Sequence, residues 1–119
     1  WRYYYSYVGE GLRSGSSGVP HGAEIPYTMG TAEGCQCLGA PLTAGDLAAA
    51  QRASLHWFDF ARSGTPVPGD ADRWPRDGRN AARVLELGET DAVRADFMKN
   101  RLNVFIGTLK FAGRFTATD

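Results

Sequence analysis

Few side chains in this sequence could carry chemistry near neutral pH: two histidines, His21 and His56, and two cysteines, Cys35 and Cys37. An imidazole can take a proton from a hydroxyl and return it to a leaving group, which is general acid–base work. His21 follows a glycine-rich stretch that itself follows an aromatic strand pattern. Loops at strand ends are where α/β proteins place functional groups. Gly22 leaves one side of the ring uncrowded, although a loop histidine with no role fits the same position. His56 falls mid-way along a helical pattern, at the flank of its buried face, and reads as a packing or solvated histidine. Cys35-Gln36-Cys37 reads as too tight for an easy mutual disulfide, leaving two loop thiols or one that pairs outside this chain. The four residues together would suffice for zinc, but their spacing matches no standard finger, and no metal is expected.

Other catalytic patterns are not found. The nearest approach to a Gly-x-Ser-x-Gly elbow is Gly15-Ser16-Ser17-Gly18, with the wrong spacing and no helix after it. There is no phosphate-binding glycine loop, no dinucleotide fingerprint and no His-Glu-x-x-His. Thirteen basic and 13 acidic residues give a net charge of zero, which argues against a nucleic-acid binder and against an anionic membrane surface. No apolar run approaches the ~20 residues of a membrane-spanning helix. The opening residues lack the basic region and cleavage site of a signal peptide. With 119 residues and 43% hydrophobic content, one modest globular domain is the upper bound.

These residues need elements to hold them. Trp1–Val8 is dense in aromatic and β-branched side chains with little alternation, the pattern of a strand buried on both faces. Residues 9–20 read as a flexible glycine- and serine-rich loop, and 21–27 as a short ordered segment ending near Gly30. Thr43-Ala44-Gly45-Asp46 is a capping box with Asp in the last position, opening a helix over about residues 44–62. Its stripe is Leu47, Ala50, Ser54, Trp57, Phe58 and Ala61, and Gly64 stops it. Residues 65–82 are turn-rich, and Arg83–Leu87 alternates as a short strand. Thr90 or Asp91 can cap a second helix carrying Val93, Phe97, Met98, Leu102, Phe105, Ile106 and Leu109, ending before Gly113. A lone first strand needs partners for its backbone groups, so the expectation is a piece of a longer chain.

Three segments carry a resemblance. The first is Tyr3-Tyr4-Tyr5-Ser6-Tyr7-Val8, the glycine-rich loop, then His21-Gly22-Ala23-Glu24-Ile25-Pro26-Tyr27 and Met29-Gly30-Thr31. The second is Leu42-Thr43 leading into Trp57-Phe58-Asp59-Phe60-Ala61-Arg62-Ser63-Gly64-Thr65-Pro66, and the third is Trp74-Pro75 before Val84-Leu85-Glu86-Leu87. Across residues 1 to about 88 the order and spacing resemble the C-terminal part of a type-B carboxylesterase, in the esterase–cholinesterase family of α/β-hydrolases. The resemblance implies an α/β fold: the last sheet strands, the catalytic-histidine loop and C-terminal helices of an α/β-hydrolase, incomplete as a domain.

It implies further that His21 is the histidine of a Ser–Glu–His triad. The chain order supports this, since serine and acid precede histidine in α/β-hydrolases. Glu24 matches a carboxylate that supports the site from behind the histidine, and it fits equally as a polar anchor of its segment. Tyr27 and Met29 are candidates to line the substrate pocket, as is Phe58, for which a core position fits better. Thr65, Val67 and Asp77 depart from the family's usual residues, and the Cys35–Cys37 stretch looks like an insertion. The implied activity is hydrolysis of a small-molecule carboxylic ester without cofactor, in concert with the rest of the same polypeptide. The alternative is a non-catalytic cholinesterase-like interaction or adhesion domain. A secreted or periplasmic location is compatible with the family, and the residues themselves do not specify one.

Overall fold

The computed structural model describes residues 1–70, 72–76 and 83–115. Among the described residues three strands form one mixed sheet in the order β1-β2-β3: β1 (Tyr3–Tyr5), β2 (Arg83–Leu87) and β3 (Ala92–Ala95). β1 runs parallel to β2 with Tyr4 opposite Glu86, and β2 pairs antiparallel with β3 with Leu85 opposite Val93. Between β1 and β2 lie a short helix α1 (Ile25–Thr28) and the long helix α2 (Ala44–Ser63). A third helix, α3 (Lys99–Phe115), follows the sheet.

The doubly buried strand is β2 rather than β1. Val84, Leu85 and Leu87 are buried, whereas Tyr3 and Tyr4 are about two-fifths exposed, at 41% and 39%. β1 has a hydrogen-bonded neighbour on one edge among the described residues. Its aromatics still work on both faces. Tyr3 sits edge-on to Trp57 and Trp74, Tyr5 meets Tyr27, and Tyr4 packs against Phe97 on the other side. The Trp74 indole N–H donates to the Arg2 carbonyl at 2.9 Å, fixing the start of β1.

Helix α2 begins as the sequence dictates. The Asp46 N–H donates to Thr43 Oγ1 at 3.1 Å, and the Thr43 N–H donates to Asp46 Oδ2 at 2.8 Å. It ends at Gly64, whose φ of 73° suits glycine and whose N–H caps the Phe60 carbonyl. Its buried face differs from the expected stripe. That face is Asp46, Ala49, Ala50, Ala53 and His56, while Leu47 and Phe58 are exposed. Tyr7 and Tyr27 fill the space beneath the helix, so the helix offers alanines there. Large residues on one element meet small ones on the other.

The second helix starts later than its apolar spacing suggests. Ala92–Ala95 is instead strand β3, since pairing with β2 satisfies that strand's second edge. The Arg94 guanidinium donates to Glu86 Oε2 at 2.7 Å and the Ser6 hydroxyl donates to Glu86 Oε1 at 2.8 Å, so one carboxylate ties all three strand regions. Those two bonds, Arg94 first, hold the Glu86 carboxyl below its ordinary range. After β3 the chain reverses through Asp96 and Met98, at φ of 51° and 53°, into α3, which runs past Gly113 to Phe115. Asp77 lies outside the described residues.

Leu85 is 2% exposed in the middle of the central strand and packs in the cluster of Trp74 and Leu87. Leu85→Ala should destabilise the protein by about 3 kcal/mol. A lowered urea midpoint at unchanged slope is the expected reading, and an unchanged midpoint would contradict the assigned core.

Candidate active site

The chain leaves β1 through Ser6 and Tyr7 and enters a 3-10 turn at Glu10–Gly15. The stretch expected to be a flexible loop is therefore partly ordered. Arg13 anchors it: its Nε donates to the Val8 carbonyl at 3.0 Å, its guanidinium lies 5.4 Å from the centre of the Tyr7 ring, and it pairs with Glu89 at 3.0 Å. Ser16 Oγ bonds the Gly18 carbonyl, closing the turn that leads to His21.

Asp46 holds this segment against α2. Only 1% exposed, it accepts from the Tyr7 hydroxyl at 2.8 Å and from the Glu10 N–H at 3.0 Å through Oδ1. Its Oδ2 accepts from the Thr43 N–H and hydroxyl. Burial alone would raise its carboxyl, but these bonds win and hold it below the ordinary range. The tyrosines move the other way. Burial first, then the Asp46 bond, pushes the Tyr7 phenol up, and burial followed by Asp46 does the same to Tyr27. Both stay protonated near neutrality, so neither phenol serves there as a base.

His21 is exposed and lines a cavity of about 270 Å³. The remaining wall is mostly apolar, with Val8, Leu12, Pro26, Tyr27 and Leu38 among its residues. Immediately after His21 the backbone takes φ +77° at Gly22, a left-handed turn that an L side chain resists. This turn starts α1, which buries Pro26, Tyr27 and Thr28 against α2 and leaves His21 on the outer side. Of the expected site residues, the cavity brings together His21 and Tyr27. Met29 is 60% exposed and lines a different, shallow surface with Leu55, Phe58 and Ala61. Phe58 is 62% exposed, so it is not a core residue of the described chain. Glu24 is half-buried at the start of α1, and its carbonyl accepts from the Thr28 N–H at 2.9 Å. Its carboxylate accepts no hydrogen bond among the described residues, and it contributes to raising the Tyr3 phenol, after burial.

Two further residues end in definite roles. His56 is buried, its Nδ1–H donating to the Pro66 carbonyl at 3.1 Å and its Nε2 lying 3.6 Å from Asp91 Oδ2. It packs edge-on to Trp74, a packing role like the one its place on the helix suggests. Cys35 and Cys37 form a disulfide, which corrects the reading of their spacing as too tight. Cys35 is extended and Gln36 begins a 3-10 turn, so the chain folds Cys37 back to a Cα–Cα distance of 5.1 Å. That is well inside the usual range of about 4.4–6.8 Å. Sequence reasoning missed Asp46 as a member of the site's support. Its place in the capping box was visible, but its bonds to Tyr7 and Glu10 span 39 and 36 residues.

A PNB esterase matches with a TM-score of 0.73 at 17% identity, over 87% of this chain and 21% of that one. A thermophilic PNB esterase matches with a TM-score of 0.69 at 17% identity, over 85% of this chain and 20% of that one. The architecture is similar to part of the α/β fold of these esterases. The chain spans about a fifth of the length of the esterases it matches. No protein-family model matches the sequence, and no curated protein matches it. The α/β-hydrolase likeness rests on three-dimensional arrangement, since so low an identity shows the fold alone.

Two outcomes follow from the support of His21. Gly22→Ala should cost about 1–2 kcal/mol, because a side chain is forced into the left-handed region directly behind the histidine. An unchanged denaturation midpoint would show that the turn relaxes freely. Asp46→Asn should cost about 2–3 kcal/mol near pH 7, where an amide N–H₂ would face the Thr43 donor. Because the Asp46 carboxyl is depressed in the folded state, its contribution is complete above the ordinary carboxylate value of about 4 and is lost as pH falls through the depressed value. The stability gap between wild type and variant should therefore shrink toward about pH 3 in paired urea titrations. A gap that holds constant would show that the charge is not what the donors recognise.

Proposed function

We propose that the protein carrying this chain is a carboxylic ester hydrolase acting by Ser–Glu–His acyl transfer, with His21 as its general acid and base. The observation that carries the reading is the placement of His21, held by Gly22 on the wall of an apolar cavity, within a fold matched by esterases. In this reading the nucleophilic serine and the glutamate come from the rest of the same polypeptide, since these 119 residues hold no Gly-x-Ser-x-Gly elbow.

In the proposed reaction that serine attacks the ester carbonyl while His21 takes its hydroxyl proton. The same imidazole, now carrying two protons, gives one to the departing alcohol. Backbone N–H groups outside this chain hold the oxyanion, and the glutamate fixes the ring's tautomer. Water then enters, loses a proton to His21 and attacks the acyl carbonyl; the bond to serine breaks, the acid departs, and His21 returns the proton to the serine oxygen. Leu12, Pro26 and Leu38 give the apolar part of the substrate a dry wall beside the reacting bond. Glu24, three residues after His21, would support the site from behind, and Tyr27 forms its floor.

His21→Ala in the full-length protein should lower kcat by about 10⁴-fold. It should move the unfolding midpoint little, since the residue is exposed. Turnover of p-nitrophenyl esters, read beside a denaturation curve, separates the two effects. Retained turnover would remove His21 from the reaction and leave the interaction-domain reading standing. The 119 residues expressed alone should show no serine-dependent turnover and no labelling by a fluorophosphonate probe.

A further inference from the structure

Sulfur chemistry stands in the wall of the His21 cavity. Cys37 and Leu38 both line that cavity. Cys35 closes the 3-10 turn at Ala32–Gly34 and opens the one at Gln36–Leu38, so its bond to Cys37 ties the joint between the turns to the middle of the second. On either side of the joint the turns are fixed inward. Ala32 is buried in the cluster of Tyr7 and Tyr27, and Leu38 packs against the same cluster. Cys37 is exposed and Cys35 half-buried, which opens the bond to attack by an incoming thiolate. One residue separates the two sulfurs' owners, so an opened pair stays close enough to re-form readily.

We propose that Cys35–Cys37 is a thiol–disulfide exchange site for a dithiol reductant, and that its state sets the shape of the His21 cavity. The second half rests on the esterase reading. One thiolate of the reductant attacks the Cys37 sulfur; the Cys35–Cys37 bond breaks, and its electron pair leaves on Cys35, which takes a proton. The reductant's second thiolate then attacks its own sulfur in the mixed disulfide and releases Cys37 as a thiolate, which is protonated in turn. The protein gains two thiols, and the reductant is oxidised to its disulfide. Once open, the joint no longer fixes Cys37, and the cavity wall beside His21 loosens at that residue.

The test uses the full-length protein and dithiothreitol in native buffer, with two readouts. Alkylation by iodoacetamide followed by mass analysis should find two modified cysteines in the 32–41 region after reduction and none after re-oxidation with diamide. The ratio of kcat/KM for p-nitrophenyl butyrate to that for p-nitrophenyl acetate should shift by about tenfold on reduction. The Cys35→Ser/Cys37→Ser double variant should sit at the reduced ratio and ignore dithiothreitol. A bond that stays closed to a large excess of dithiothreitol overturns the proposal, as does opening that leaves the ratio unchanged. Absence of any ester turnover would instead defeat the esterase reading. The alkylation result, taken without substrate, would still decide the exchange site.

Discussion

One buried carboxylate organises the region around His21. Asp46 accepts four hydrogen bonds from three separate stretches: the phenol of Tyr7 beyond β1, the backbone of Glu10 in the following turn, and both donors of Thr43 at the head of α2. A buried charge is costly unless it is fully hydrogen-bonded, and this one is. Its bonds to Thr43 brace the head of α2, and its bonds to Tyr7 and Glu10 dock the segment that carries the chain toward His21. Loss of any partner would leave a polar group stranded where water is excluded.

The packing around that carboxylate explains the rest of the site. Tyr7 and Tyr27 lie against each other and fill the space under α2, which answers with Ala49, Ala50 and Ala53. Their phenols remain protonated because burial and the nearby carboxylate both disfavour the phenolate. The tyrosines thus form a floor that does not exchange protons, and His21 stands above it on the cavity wall. A second cluster, built on Trp74, Leu85 and Leu87, fixes the sheet, and His56 joins it to α2 through its contact with Trp74.

Local physics was legible in the residues. Thr43 and Asp46 announced a helix start, and Gly64 its end, because caps act within a few positions of themselves. The glycine-rich stretch after Val8 marked where the first strand gives way to a loop, and Arg83–Leu87 alternated as strands do. The motif beginning at His21 pointed to an esterase α/β-hydrolase, and the three-dimensional likeness supports that fold although identity is only 17%.

Other features depended on partners distant in the chain. Val93 fits a helical stripe by spacing, yet the unpaired edge of β2 takes Ala92–Ala95 as a strand, because backbone donors and acceptors must be satisfied before a helical stripe matters. Cys35 and Cys37 looked too near each other until the backbone folded between them. Leu47 and Phe58 share α2's apolar spacing but lost the core to alanines, since the aromatic side chains opposite had already filled it. The sequence by itself determined where α2 begins and ends and that β2 is a strand, since those rest on short-range hydrogen-bond and torsional preferences. Tertiary structure alone decided which face is buried, which sulfurs bond and which donors the Asp46 carboxylate gathers, because those depend on what the rest of the chain brings alongside.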